Sequence, residues 1–588
     1  MFFFSVMAKV PFTLQKTHSL HAAFPLLVLL YVLTRLAGLV FLVSHNDEAI
    51  YTQYAQMISA DWQVNKFISV DGFFWNDYKE PLQFWMTSLT VNLFHNPLYG
   101  VRLWSVLFGL LGFVYTYKLF CALWGRDVGL VSAVLCLFSQ YFFYFDVVNI
   151  TEHFVYGSGA VFLCFFHRFL QTLKWSALAV SLPAFSLALN CKPSAEIWLA
   201  LGFCVLLYHS LITGTGGGRT KKILEPWKVF STRFGINFCM VSARVVFSAL
   251  CGLWGVVVLS CHFILARLIV YLLIPAEFAK IRHQGSPHAL VRDFGGLFDL
   301  PVREWVNNII FYFSDVLFLD VFGIPLMLLC LVLFLPHAKF INKKSGLILA
   351  CGLWVVTFVP QIVFMKVALL RHFGMGLYFW YGLLACLLVD VFGRMRARYL
   401  RYVFTGCVVC LLGGQIFYLF HDLFKSRQTE AGMVEGHTGF ANGLGTETLI
   451  TKVKTFKRGI LVYDLQWGLP GTLLQVYDKD YPQLTLFPFK ASVVREFKLA
   501  HEATRTRGET GVMSFSRKTL RGQMVDVRFG PDDAAYFVFD SARLSDKTFM
   551  YYNDVFNDPV LCRKKEVVDK VFRGRALEGS SLVICEME

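Results

Sequence analysis

The chain has 588 residues, 56% of them hydrophobic and 16% aromatic, and its mean hydropathy of +0.54 excludes an array of ordinary soluble domains and marks a polytopic membrane protein. Its net charge of +15 is uneven, because residues from 425 onward hold 24 Lys/Arg against 21 Asp/Glu and leave about +12 to the first 424 residues. Basicity of that kind sits in membrane loops, where it sets orientation, and no basic soluble face argues for nucleic acid.

In chain order, residues 22–43 are the first apolar run of spanning length, with Lys9 and Lys16 before it and Asp47 and Glu48 after it. The basic side stays in the cytoplasm, so the N-terminus is cytoplasmic and Asp47 faces out. The opening M-F-F-F-S-V-M-A-K-V lacks the parts of a cleaved signal peptide, which makes this run a retained signal anchor. Arg35 interrupts it, either as a snorkelling or interhelically paired cation or as a group near a lipid phosphate.

Residues 48–60 carry Ile50, Tyr51, Tyr54, Met57 and Ile58 on one side, the pattern of a helix lying on the membrane surface. The apolar stretch 81–94 is too short to span, so 44–97 reads as one large outer loop with two interfacial helices. Further spans are expected at 100–123, 127–145, 153–173, 175–190, 194–213, 236–274, 321–336, 345–365, 371–392 and 400–422. Arg126, then Arg168 and Lys174, then the cluster from Arg219 to Arg233, then Lys339 to Lys344, then Arg394 to Arg401 fall on alternate loops. That alternation gives about eleven to thirteen spans and places the C-terminal region outside. Residues 275–308 form a second outer loop, with Arg282, His283, His288, Arg292 and Asp293 before a Gly-Gly break, able to cover a site on the Asp47 side.

Thirteen of the fifteen cysteines, Cys121 to Cys410, lie in or beside apolar runs as small hydrophobes. Cys562 and Cys585 alone lie in the soluble tail and can pair in an oxidising compartment. After a Gly- and Thr-rich linker, 459–464, 535–540 and 581–586 read as buried strands, with helices near 469–477 and 491–505. Residues 425–588 therefore read as a small α/β domain without a phosphate-binding Gly loop.

On the outward face this topology collects Asp47 and Glu48, Lys79 and Glu80, Glu152 and His153, Lys192, and Arg371 and His372. Ionisable groups at the edge of hydrocarbon are costly, which points to a site. A carboxylate can take a proton from an acceptor, and Lys and Arg can neutralise a departing phosphate. Each also has a plain structural alternative: a turn for Asp47 and Glu48, snorkelling for Lys79, helix capping for Glu152 and His153, anchoring for Lys192, Arg371 and His372.

The stretch D-E-A-I-Y-T-Q-Y-A, then Y-K-E-P-L-Q-F-W, then Y-G-V-R-L-W-S-V-L-F-G-L-L-G at 99–112, resembles the first outer loop and second span of the GT-C membrane glycosyltransferases. It is most similar to the aminoarabinose (lipid A) transferase and dolichyl-phosphate-mannose protein mannosyltransferase-like group. Asn190-Cys191-Lys192 and L-R-H-F-G-M-G-L-Y at 370–378 resemble later elements of that group.

The resemblance implies a polytopic α-helical GT-C fold over 1–424, with a periplasmic α/β domain over 425–588, in the cell inner membrane. It implies transfer, with inversion, from a polyprenyl-phosphate-sugar donor to a lipid, glycan or protein acceptor. The family's catalytic or substrate-orienting Asp falls on Asp47 and its companion acid on Glu48; Lys79 takes the place of the family Lys, and Lys192 and Arg371 become candidates for the donor phosphate. Glu80 departs from the family's Pro-Pro, and the position before Lys79, acidic in many relatives, is Tyr78. No cofactor is assigned, and a divalent metal stays open. A transporter or flippase for a lipid-linked substrate predicts polar groups at mid-membrane and paired broken helices; a polysaccharide ligase predicts an Arg-rich outer loop.

Overall fold

The computed structural model describes residues 23–42, 46–70, 79–214, 237–275, 302–317, 344–364, 370–395, 398–426, 445–464, 476–489, 511–516, 524–529, 533–541, 562–572 and 575–587, with short pieces at 474, 503–504, 506–508 and 557. The expected span 321–336, residues 276–301 of the loop 275–308 and most of the expected helices near 469–477 and 491–505 lie outside these residues.

The long helices are α1 (Ala23–Phe41), α4 (Pro97–Trp124), α7 (Thr151–Thr172), α8 (Trp175–Cys191), α9 (Ile197–Gly214), α10 (Asn237–Leu273), α12 (Lys344–Phe364), α13 (Gly374–Arg394) and α14 (Arg398–Ser426). Between them come α2 (Asn46–Ala60), α3 (Leu82–Ser88), α5 (Arg126–Phe138), α6 (Gln140–Phe145) and α11 (Val302–Phe311). Among the described residues, six helices are long and apolar enough to cross a membrane by length and composition, and two shorter apolar ones follow at Trp175–Cys191 and Pro193–His209. The run 127–145 is not one span: Ser139 leaves the helical conformation and its hydroxyl accepts the Phe142 N–H at 3.4 Å, ending α5 and starting α6.

The centre of the bundle is α4 against α7, with α8 on the far side of α7 and α5 and α13 flanking. Gly157 makes the first contact feasible, because a Cβ there would collide with the Phe108 carbonyl. Arg35, buried in α1, is paired between helices. Its Nη2 lies 3.6 Å from Asp146 Oδ2 and its Nη1 donates to the Leu137 carbonyl at 2.8 Å, while the Tyr31 hydroxyl donates to the same Asp146 oxygen at 2.7 Å.

Helix α2 departs from the expectation of a surface helix. From Glu48 to Ala55 it is buried all round, between α3, the start of α4 and Val476 of the C-terminal region. Glu48 departs with it. Instead of facing a site it is fully buried against Arg102, whose Nε and Nη2 donate to its two carboxylate oxygens at 2.7 Å each. Arg102 Nη1 also donates to the carbonyls of Leu39 (3.0 Å) and Leu42 (2.8 Å) at the end of α1, where a helix runs out of its own N–H donors. One guanidinium thus joins the end of α1, the start of α2 and α4.

The C-terminal region forms a five-stranded mixed sheet in the order β2-β1-β5-β7-β6, where β1 is Gly459–Asp464, β2 Leu484–Phe489, β5 Ala534–Asp540, β6 Lys564–Phe572 and β7 Arg575–Met587. A separate antiparallel pair, β3 (Gly511–Ser516) and β4 (Met524–Phe529), lies outside that sheet. β1 runs parallel to both neighbours, and β7 runs antiparallel to both of its own. The three expected strands are β1, β5 and β7. A Cys562–Cys585 disulfide ties Cys562, two residues before β6, to β7.

A buried ion pair stripped of one partner leaves an uncompensated charge, at a cost of about 3–5 kcal/mol. Arg102→Leu is therefore expected to remove most monodisperse protein on size-exclusion chromatography. The double variant Glu48→Leu/Arg102→Leu is expected to recover part of it, and a single variant as stable as the parent would show that the pair does not hold these helices.

Candidate functional site

The site is built where four distant segments end at one level. Asp47 lies in the first turn of α2, where a carboxylate suits the positive end of the helix dipole. Residues 47 and 48 are about 100° apart around a helix. Hence Glu48 turns to Arg102 while Asp47 turns to Arg371, whose Nη1 pairs with Asp47 Oδ2.

Arg371 sits in a 3-10 turn, Leu370–Phe373, that leads into α13. Its backbone is held by two phenols, since the Tyr141 hydroxyl donates to the Arg371 carbonyl at 2.8 Å and the Tyr156 hydroxyl donates to the same oxygen. Gly374 leaves room for both rings, where a Cβ would collide with each.

Glu152 opens α7, again in a first turn, and lies at the middle of the cluster. Lys192 Nζ donates to its Oε1 at 2.6 Å, and Arg371 Nε and His372 Nε2 are each 3.8 Å from that oxygen. Lys192 reaches it because the chain leaves α8 there: the residue precedes Pro193, which disfavours helix, and it is extended at φ −160° and ψ 133°. The order Asp47, Arg371, Glu152, Lys192 alternates in sign, so each cation is already matched by a carboxylate. The exposures fit an opening to solvent: 25% for the Asp47 side chain, 28% for Lys192, 16% for Arg371 and 5% for Glu152.

Lys79 stands at the edge of this group. Its backbone is clamped to Ser69 by an N–H to carbonyl bond of 3.0 Å, and its charge is felt at both Tyr51 and His372. Tyr51, on the α2 face that carries Asp47, is buried within electrostatic reach of Lys79, Asp47, Arg371 and Glu152. Burial is the main cause that pushes its phenol well above the ordinary range, so it keeps its proton.

The remaining expected residues take other places. Glu80 is buried, within electrostatic reach of the Cys191 thiol, and immediately precedes Pro81, the N-cap of α3. His153 turns its ring onto Phe154, with centroids 4.6 Å apart, and among the described residues it makes no ion pair with the cluster. Asp47, Glu152, Lys192, Arg371 and His372 are therefore brought together, with Lys79 beside them, whereas Glu48 supports from behind. His283 and His288 lie outside the described residues. Among the described residues no group of three or more His, Cys, Asp and Glu is arranged to hold a metal.

Residues that sequence reasoning missed are chiefly supports. The Asn149 N–H donates to Glu48 Oε1 at 2.9 Å and Gln83 Nε2 donates to Asn149 Oδ1 at 3.2 Å, linking the turn before Glu152 to α2 and α3. Arg102 did carry a signal, as a charge inside an apolar run of spanning length.

Residues 79–242 match the sequence pattern of the dolichyl-phosphate-mannose-protein mannosyltransferase family. Comparison with curated protein sequences gives no match. Solved structures similar to this chain include ArnT from Cupriavidus metallidurans in the apo state, at 13% identity over 95% of this chain and 97% of that one, with a TM-score of 0.46. The same protein bound to undecaprenyl phosphate is similar at 14% identity over 97% and 98%, with a TM-score of 0.46. The Archaeoglobus fulgidus oligosaccharyltransferase in the apo form is similar at 12% identity over 91% and 71%, also at 0.46. The family pattern over residues 79–242, with Lys79, Glu152 and Lys192 among them, agrees with the resemblance drawn from Y-K-E-P-L-Q-F-W and the second expected span, whereas Asp47 and Glu48 lie before the matched residues.

Proposed function

We propose that the protein transfers a sugar from a polyprenyl-phosphate-sugar donor to a lipid, glycan or protein acceptor at the outer face of the cell inner membrane. The observation that carries this reading is the cluster in which Arg371 and Lys192 stand on either side of Glu152, with Asp47 closing it. The family pattern over 79–242 supports lipid-linked sugar transfer as the reaction class. The Cys562–Cys585 pair supports an oxidising compartment for the C-terminal domain.

In this mechanism the donor phosphate lies against Arg371 and Lys192, with Lys79 and His372 at the margin. The bond from the anomeric carbon to the phosphate oxygen breaks, and the electron pair leaves with the lipid phosphate, whose growing charge the two cations stabilise. The acceptor oxygen attacks the opposite face of the anomeric carbon, which gives inversion. If that oxygen is a hydroxyl, Asp47 takes its proton; if it belongs to a phosphate, already ionised, Asp47 orients it. Phosphate competes with Asp47 for Arg371, so donor binding itself sets the base free.

Asp47→Asn is expected to lower sugar transfer by about 10²–10⁴-fold, the usual contribution of a general base. Binding of undecaprenyl phosphate should persist or tighten, because Arg371 loses its internal anion. Transfer close to wild type would remove Asp47 from the chemistry.

Arg371→Ala and Lys192→Ala are expected to weaken undecaprenyl phosphate binding by about tenfold or more each, as charge-assisted hydrogen bonds do. Unchanged binding, measured by fluorescence titration in nanodiscs, would move the phosphate elsewhere. Mass spectrometry of envelope lipids, glycans and proteins from cells with and without the protein is expected to reveal one missing sugar, and so both donor and acceptor; identical profiles would contradict the reading.

A further inference from the structure

The C-terminal domain is built into the back wall of the candidate site. The Tyr477 hydroxyl donates to Asn96 Oδ1 at 2.9 Å, and that same oxygen caps α4 by accepting the Leu98 N–H at 3.0 Å. From the other side, Gln56 Nε2 of α2 donates to the Val476 carbonyl at 3.0 Å. Val476 itself is buried against Ala49 and Leu98, the first immediately after Glu48 and the second four residues before Arg102. Tyr477 is close enough to Arg102 and Glu48 for both charges to act on its phenol.

The turn that makes these contacts is fixed within its own domain. Leu474 and Tyr481, which flank it, belong to the core formed with Leu461, Val538 and Ile584, and the Tyr481 hydroxyl donates to the Leu474 carbonyl across the turn. Asp480 is held by Lys454 Nζ at 2.8 Å. The sheet's rigidity therefore reaches α2 directly.

We infer that Tyr477, with Val476, is a positioning residue of the site: the C-terminal domain braces α2 and the head of α4 from behind, and so holds Asp47 at Arg371. Neither residue touches the cluster, and both act through the Glu48–Arg102 pair and the packing of Ala49. The transfer part of this inference rests on the function proposed above; the bracing of α2 does not.

The test uses full-length protein in nanodiscs, comparing Tyr477→Phe, which removes only the hydroxyl, Tyr477→Ala, and Gln56→Leu, which breaks the contact from the bundle side. Hydrogen–deuterium exchange is read over residues 46–60, with residues 197–214 and strand residues 459–464 as internal controls. In Tyr477→Phe and Gln56→Leu the exchange of 46–60 is expected to rise by about fivefold, the equivalent of one lost neutral hydrogen bond, and further in Tyr477→Ala, with both controls unchanged. Equal protection of 46–60 in all variants overturns the inference, as does a rise shared by the controls, which would mark general unfolding. In the same samples undecaprenyl phosphate binding should persist or tighten while kcat falls and the donor KM does not rise. A parallel loss of phosphate binding overturns the positioning role. If wild-type protein binds no undecaprenyl phosphate, the functional reading fails, and the exchange data alone decide the bracing.

Discussion

Two charges removed from water at the edge of hydrocarbon stay there only when each is fully satisfied. Arg102 and Glu48 meet that condition through two mutual hydrogen bonds, two carbonyls at the end of α1 and the Asn149 N–H. Everything at the candidate site is placed relative to this pair. It fixes the rotation of α2, and the rotation of α2 decides that Asp47 points at Arg371. It also ties down the turn at Asn149, three residues before Glu152. An alternative packing of α2 would leave a bare guanidinium in the bundle, which is why this loop helix has one orientation.

In front of that pair the chemistry is different. Asp47, Arg371 and Lys192 are partly open to solvent and are matched to one another through the buried Glu152. Such pairs are weaker than the buried one and are screened more, so a phosphate can exchange with a carboxylate without dismantling the fold. The two acids side by side in the sequence thus have opposite duties. Glu48 is committed to Arg102, and in the proposed reaction Asp47 is held only until the donor phosphate takes its partner. The C-terminal domain adds rigidity to the committed side through Val476 and Tyr477.

Much of this was legible in the residue order, for a physical reason. Asp47, Glu152, Lys192, Arg371 and His372 all stand where apolar runs begin or end, so the cost of a charge at the membrane boundary marked them and the alternation of basic loops put them at one level. The separation of Asp47 from Glu48 was not legible, because it depends on helix phase, and the phase is set by Arg102 from another helix. The burial of α2 was hidden too. Its apolar stripe looks like a surface helix until Val476, more than four hundred residues later, covers the other side. The break at Ser139 was hidden within an apolar run, where a single hydroxyl capping a backbone N–H carries little weight in a hydropathy pattern. Strands β1, β5 and β7 were readable because they are continuous apolar runs; β2 and β6 were not, since β6 mixes Lys and Glu with Val along an exposed edge.

The central claim is that Arg371 and Lys192 form an anion site from which a lipid phosphate displaces Asp47. A structure of the full-length protein with undecaprenyl phosphate bound in a nanodisc tests it most directly. The account predicts phosphate oxygens within hydrogen-bond distance of Arg371 and Lys192, Asp47 released from Arg371, and Glu48 still on Arg102. A phosphate bound elsewhere, with the Asp47–Arg371 pair intact, would contradict it.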